Sequence, residues 1–326
     1  MRKILTVLMS IIFLAGLWGM SAMASDLVIK AKKQTYSEAE RKIKAEGDVE
    51  LSINDAVVLG EKADVTVTKN NKLDIATFYE KPYAYEIKGH KKREVKANIL
   101  RASLINKIIK AEGLTQTTVF DGKEPIVIIT ADYQEYDTKT NLMKADGNVI
   151  IHYQEIETFS QKAIIKTNKD GDLQKLDLIG KAQIKEGKNT SYADHFIYKP
   201  DSGELMAIGN TLSNATLEDG SKLKLKSDYQ QYNRNSNTFL GSGKVEIWFK
   251  DYYAKGPKVT FYPDKKTKRP NEIYFTGRSS ITEDVKTIYA DKIKIVLKPK
   301  NFYAEGNTQT VIKNINQVQD KDNGLF

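Results

Sequence analysis

Six copies of one short motif, set at two alternating distances, constrain this chain more than any other feature. They read Lys44-Ala45-Glu46-Gly47-Asp48-Val49, Lys110-Ala111-Glu112-Gly113-Leu114-Thr115 and Lys144-Ala145-Asp146-Gly147-Asn148-Val149. The remaining three are Met206-Ala207-Ile208-Gly209-Asn210-Thr211, Leu240-Gly241-Ser242-Gly243-Lys244-Val245 and Tyr303-Ala304-Glu305-Gly306-Asn307-Thr308. The glycines are separated by 66, 34, 62, 34 and 63 residues, so 47, 147 and 243 form one series and 113, 209 and 306 another. This alternation describes three tandem copies of a unit of nearly one hundred residues, each with two related halves.

The flanks repeat in the same frame. Ala131-Asp132-Tyr133-Gln134-Glu135-Tyr136 leads to Gly147 and Ser227-Asp228-Tyr229-Gln230-Gln231-Tyr232 to Gly243, with a worn Lys33-Gln34-Thr35-Tyr36 before Gly47. In the other series, Tyr192-Ala193-Asp194 precedes Gly209 and Tyr289-Ala290-Asp291 precedes Gly306. A long period built from short elements is the mark of an array whose units stack on their neighbours. The expected units are 27–128, 129–224 and 225–313, followed by a polar tail, 314–326.

Period-2 alternation gives the secondary structure, because alternate strand residues face one side. After the first-series glycines the apolar positions are Val49 and Leu51, then Val149 and Ile151, then Val245, Ile247 and Phe249. The next segment adds Val65, Ile165 and Val259. Each shared glycine is read as preceding a strand, and each recurrent Ala-Asp as opening one. The only helix candidate, Ser37 to Lys44, is short and lacks a wide apolar stripe. The expectation is an all-β chain of roughly 25 strands in two facing sheets, a slab about 60 Å long.

The first residues carry an address. Arg2 and Lys3 precede an uncharged apolar run, Ile4 to Met20, and Ala22-Met23-Ala24 supplies the small residues of a cleavage site. Residues 1–24 are therefore read as a signal peptide, with an uncleaved anchor as the alternative, and the mature chain 25–326 as exported. The chain has no cysteine, so no disulfide contributes. Losing two cations with the leader turns the net charge of +9 into +7, spread along the chain. Nucleic-acid binders concentrate such charge on one face; attraction to anionic amphiphiles fits better.

Catalytic patterns are missing. His90, His152 and His195 lack metal-ligand spacing, and Gly241-Ser242-Gly243 is not a nucleophile elbow. The recurrent Asp132, Asp194, Asp228 and Asp291 suit turns or edges better than acid–base pairs. The basic runs Lys91-Lys92-Arg93 and Lys265-Lys266-Thr267-Lys268-Arg269 are read as solvated loops ahead of headgroup sites. The seventeen tyrosines are read as strand packing ahead of sugar stacking. No enzyme, metal or cofactor is expected. The apolar face either closes into a dry sandwich or lines an open groove, and alternation alone fits both.

The strand-opening Ala-Asp, the tyrosine, and then Ala-Asp/Glu-Gly-Asn-Val resemble the OstA-like family, which includes LptA, LptC and the periplasmic domain of LptD. Residues 131–153, 193–211, 227–249 and 290–308 carry the likeness best. The resemblance implies an elongated, twisted, open β-jellyroll (a β-taco) in the periplasm that holds acyl chains of lipopolysaccharide or a related lipid. The acyl-facing residues would then be Val49, Leu51, Val65, Val149, Ile151, Ile165, Val245, Ile247, Phe249 and Val259. It also implies joining, through terminal strands, to inner-membrane LptC-like and outer-membrane LptD-like partners or to further copies. The rival expectations are a closed β-repeat spacer or adhesin, and an exported carbohydrate-binding protein.

Overall fold

The computed structural model describes residues 28–313, except 54–55, 89–90, 169–171, 218–219, 269 and 298–299. The expected leader, the polar tail and His90 lie outside the described residues. Among the described residues there are twenty-two strands and no helix. Strands β1 (Val28–Lys30), β2 (Lys33–Ser37), β3 (Lys42–Ile53), β4 (Ala56–Val67), β5 (Leu73–Tyr79), β6 (Tyr83–Lys88), β7 (Lys91–Lys96) and β8 (Ile99–Ser103) come first. They are followed by β9 (Ile108–Asp121), β10 (Glu124–Asp137), β11 (Leu142–Tyr153), β12 (Ile156–Thr167), β13 (Leu173–Glu186), β14 (Asn189–Lys199) and β15 (Glu204–Thr216). The last are β16 (Lys222–Asn233), β17 (Thr238–Phe249), β18 (Tyr252–Pro263), β19 (Pro270–Glu283), β20 (Lys286–Leu297), β21 (Lys300–Glu305) and β22 (Gln309–Ile312). Every described pairing is antiparallel, within one sheet of twenty-two strands among the described residues.

Five of the six motif glycines do not precede strands but lie in the middle of them; Gly306 falls between β21 and β22. On β11, Asp146 faces Lys162 and Val149 faces Ser160, so three steps on one strand match two on the other. That is a bulge, and it bends the strand. Gly147 (φ 78°) and Asn148 (φ 48°) are both left-handed there, while Ala145 and Val149 on either side face the same interior. At these five glycines the strands run for twelve to fourteen residues through the motif instead of stopping at it, whereas β21 ends at it. The Ser37–Lys44 helix candidate is a hairpin turn between β2 and β3, where the Ser37 hydroxyl accepts from the Glu40 amide at 3.2 Å.

The chain groups into two compact units, residues 28–184 with 197–201, and residues 185–196 with 202–313. In the first, Ala63, Val65 and Phe78 on one side of the bends pack in one cluster with Val49, Leu51 and Val58 on the other. In the second, Val259, Phe261, Phe275 and Ile293 cluster with Leu225, Val245, Ile247 and Ile281. Each bent strand thus closes its two arms over shared apolar filling. A fully buried side chain of this size contributes about 1.5–3 kcal/mol.

The earliest strands depart from the pattern. Glu80 (φ 66°) and Lys81 (φ 61°) stand where Gly180 (φ 83°) and Lys181 (φ 46°) bend β13, and Pro82 follows them. Proline has no amide to give the ladder. The strand breaks there into β5 and β6, whereas β13 continues.

Candidate functional site

The bend is the unit from which the interior is built. A side chain replacing hydrogen at Gly147 would put its Cβ 2.3 Å from Asp132 Oδ2, and at Gly209 2.4 Å from Asp194 Oδ2. Asn148 Nδ2 donates to Asp132 at 2.9 Å, Asn210 to Asp194 at 2.8 Å and Asn307 to Asp291 at 2.7 Å. The repeated aspartates therefore brace bends and do not open strands. At Gly47 the brace is Lys32, paired with Asp48 at 2.7 Å; at Gly113 it is Asn98.

A second brace went unread in the sequence. Gln134 Nε2 donates across its own bend to the Ile129 carbonyl at 3.2 Å, while its Oε1 accepts from the Thr117 hydroxyl at 2.6 Å. Gln230 repeats this with Leu225 at 3.3 Å and Ser213 at 2.6 Å. Both glutamines are buried, so pairing both ends of the amide avoids leaving a polar atom dry. The signal was present: Gln34, Gln134 and Gln230 hold one place in the repeated flank.

The resemblance-derived residues fall on the interior. Val49, Leu51, Val65, Val149, Ile151, Ile165, Val245, Ile247 and Val259 are buried, and Phe249 is half-buried. Val49, Leu51 and Val65 share one cluster; Val245, Ile247 and Val259 share the other. Leu223, Phe239, Tyr252, Ile273, Ile288 and Leu297 form the partly buried rim of the second cluster. Tyr252 lies 5.9 Å from the exposed Phe302 ring.

The interior of the first unit is not wholly apolar. The run Lys91-Lys92-Arg93 is strand β7 and not a solvated loop. Arg93 is buried opposite the buried Glu86 and 5.5 Å from the Tyr136 ring. Burial pulls the Arg93 pKa down against the attraction of Tyr136 and Glu86, and pushes the Tyr136 phenol up to about 12. The run beginning at Lys265 is an exposed turn, in which Asp264 Oδ1 accepts from the amides of Lys266 and Thr267 at 3.0 and 2.7 Å.

Other candidates stay on the outside or at the bends. His152 faces out, 3.5 Å from Glu157. Tyr133 lies within β10 and donates to Glu135 at 2.8 Å, which with Lys110 and Lys144 nearby holds that carboxylate below its usual range. In the second unit a cleft of about 580 Å³ runs over the bends, lined by Lys226, Asp228, Lys244, Lys255, Arg278 and Tyr289 among others. Among the described residues, no group of three His, Asp or Glu is placed to hold a metal.

Residues 128–265 match the family model of the LptA/(LptD N-terminal domain) LPS transport protein. Over these residues the chain is similar to the OstA-like Lpt family. The matched stretch contains the bends at Gly147, Gly180, Gly209 and Gly243. A solved structure of LptH from Pseudomonas aeruginosa, described as the LptA-homologous periplasmic component of the lipopolysaccharide transport device, is 11% identical, with a TM-score of 0.35. That likeness covers 40% of this chain and 96% of LptH. No curated protein matches the chain.

Proposed function

We propose that this protein is a non-enzymatic, periplasmic carrier in lipopolysaccharide transport, with acyl chains held between the two arms of its bent strands. The observation that carries this reading is the run of apolar residues at one offset from successive bends, within and beside the stretch that matches the transport family. Val149, Ile151, Ile165, Val245, Ile247 and Val259 lie along it, with Phe249 at its half-buried end. Each CH₂ leaving water gains about 0.8 kcal/mol. Here an incoming chain also displaces contacts between the arms, so the net gain is smaller, which suits a carrier that must release its cargo. Three tandem units of the kind expected from the motif spacing give one molecule several such stations. The terminal strands serve as edges for LptC-like and LptD-like partners by strand addition.

One observation favours the closed spacer instead: the interior residues are packed against each other, with Leu51 and Ile165 at 0% exposure. A photo-crosslinking residue at Ile151, Phe249 or His152, introduced in cells that make lipopolysaccharide, separates the two. Lipid adducts at the first two but not at His152 are expected. Folded protein without adducts at either interior position would sink the carrier reading and leave the spacer.

A further inference from the structure

The outer face of the second unit carries charge that the apolar interior does not explain. Strand register places Lys226, Glu246, Lys255, Ser280 and Tyr289 in one row across β16 to β20. Their neighbours along the strands, Leu225, Val245, Ile247, Ala254 and Ile281, are buried in the interior cluster. Successive strand residues face opposite sides, so the row faces outward. All five line the cleft of about 580 Å³ that runs over the bends.

The charged groups lining it are Lys226, Lys244, Lys255 and Arg278 against Asp228 and Glu246, an excess of two positive charges. Arg278 is shared with Asp291 at 3.6 Å. Glu246 is engaged by Lys226 at 4.0 Å and by the Tyr253 hydroxyl at 2.7 Å. Lys244 and Lys255 have no partner among the described residues.

The repeat supplies an internal comparison. One unit earlier, Thr130, Ile150 and Phe159 hold the places of Lys226, Glu246 and Lys255, so the fold itself does not require charge there. After the bend glycine, Asn148, Asn210 and Asn307 each donate to an aspartate. At Gly243 that residue is Lys244, which is left-handed as well (φ 48°) and makes no such contact with Asp228. This bend forgoes its internal brace and presents an ammonium to the cleft instead.

Ser280 is an independent sign of a ligand. It is 4% exposed and lines the cleft, yet its hydroxyl has no described hydrogen bond. Ser279 beside it donates to the Gly277 carbonyl at 2.7 Å. A buried hydroxyl without a partner is costly, and an outside atom that completes its bond removes that cost.

We infer that this cleft binds a phosphate monoester, with Lys244 and Lys255 pairing the phosphate oxygens and Ser280 donating to one of them. Such a group carries about two negative charges at neutral pH, which matches the excess. The volume falls within the roughly 300–1,000 Å³ of small-molecule sites, leaving room for the organic part of the ester. The site faces away from Val245 and Ile247, so it stands apart from the carrier reading. A soluble ester and a lipid headgroup offer the same chemistry.

The full-length chain is titrated calorimetrically with inorganic phosphate and with glycerol 3-phosphate. One saturable site is expected. Ser280→Ala should weaken it roughly tenfold, the scale of one hydrogen bond to a charged group, without altering any charge. Lys244→Asn with Lys255→Met should weaken it roughly a hundredfold, the scale of two charge-assisted bonds. Lys222→Met with Lys286→Met removes equal charge from exposed positions outside the cleft and should change affinity by less than about twofold. Phosphatidylcholine vesicles with and without phosphatidic acid identify the source. Co-sedimentation that needs both phosphatidic acid and Ser280 assigns the site to a headgroup; glycerol 3-phosphate binding without it assigns a soluble ester. No saturable phosphate binding, indifference to Ser280→Ala, or equal losses in the two lysine pairs would each overturn the site. Lipid adducts at Ile151 report on the carrier reading separately.

Discussion

Asn148 Nδ2 donates to Asp132 Oδ2 at 2.9 Å across two neighbouring strands, at the point where both change direction. The contact is possible because Gly147, between them, has no side chain: a Cβ there would overlap Asp132. The motif glycine, its following asparagine and the aspartate fifteen residues earlier thus form one device, a fixed bend.

Gly147→Ala should destabilise the chain by at least about 2 kcal/mol, because it adds a clash with Asp132 to the ~1–2 kcal/mol that a left-handed alanine costs. Combining it with Asp132→Ala should recover the clash and leave the backbone strain. Urea denaturation of the three variants checks this. Equal losses in the single and double variants would mean that the close approach carries no energy.

Gln134→Leu strands the Thr117 hydroxyl and the Ile129 carbonyl in the interior. A loss of about 2–4 kcal/mol is expected, at ~1–3 kcal/mol for each buried group left without a partner. Gln34→Leu, at the exposed edge, should change monomer stability by less than about 0.5 kcal/mol. The same denaturation experiment at low protein concentration distinguishes them.

Arg93 and Glu86 should behave as a pair. Arg93→Met leaves a buried carboxylate without its cation and is expected to cost about 3–5 kcal/mol, whereas Arg93→Met with Glu86→Leu should be close to neutral. A double variant as unstable as the single one would show that Arg93 acts through other contacts, such as that with the Tyr136 ring.

Tyr136 predicts an alkaline limit. Burial keeps its phenol protonated, so the folded chain holds this proton more tightly than the unfolded chain, whose phenol titrates near 10. Its contribution is complete below about pH 10 and declines as the pH climbs towards about 12. Tyr136→Phe should flatten the stability profile in that window, as followed by denaturation midpoints between pH 9 and 11, roughly the range the linkage argument covers.

Charged substitutions at Ile151 or Ile247 are poor probes of lipid binding, since both are core residues at 4% and 6% exposure. Unfolding is the expected outcome, visible as loss of the β-sheet circular dichroism signal. Phe249→Ala, at the half-buried end of its arm, should leave the fold intact and lower lipid crosslinking at Ile151. A folded Phe249→Ala chain with undiminished adducts would remove Phe249 from the path.

Much of the interior was legible in advance. Strict alternation around Val149 and Ile151, repeated at Val245 and Ile247, named buried positions correctly because side-chain direction in a strand is a local property with a period of two. The same logic misread Arg93. Its burial depends on Glu86 across the hairpin and Tyr136 on another strand, and no window around residue 93 contains both.

The sequence by itself determined an all-β chain and the buried face of strands such as those around Val149 and Val245, since these follow from short-range periodicity. Only the tertiary structure decided that five of the six motif glycines bend strands instead of starting them. It alone joined Asp132 to Asn148 and Gln134 to Thr117, and closed the two arms onto each other. A left-handed residue redirects everything beyond it, and what covers a face is set by segments far apart in the chain, so neither is written in local pattern.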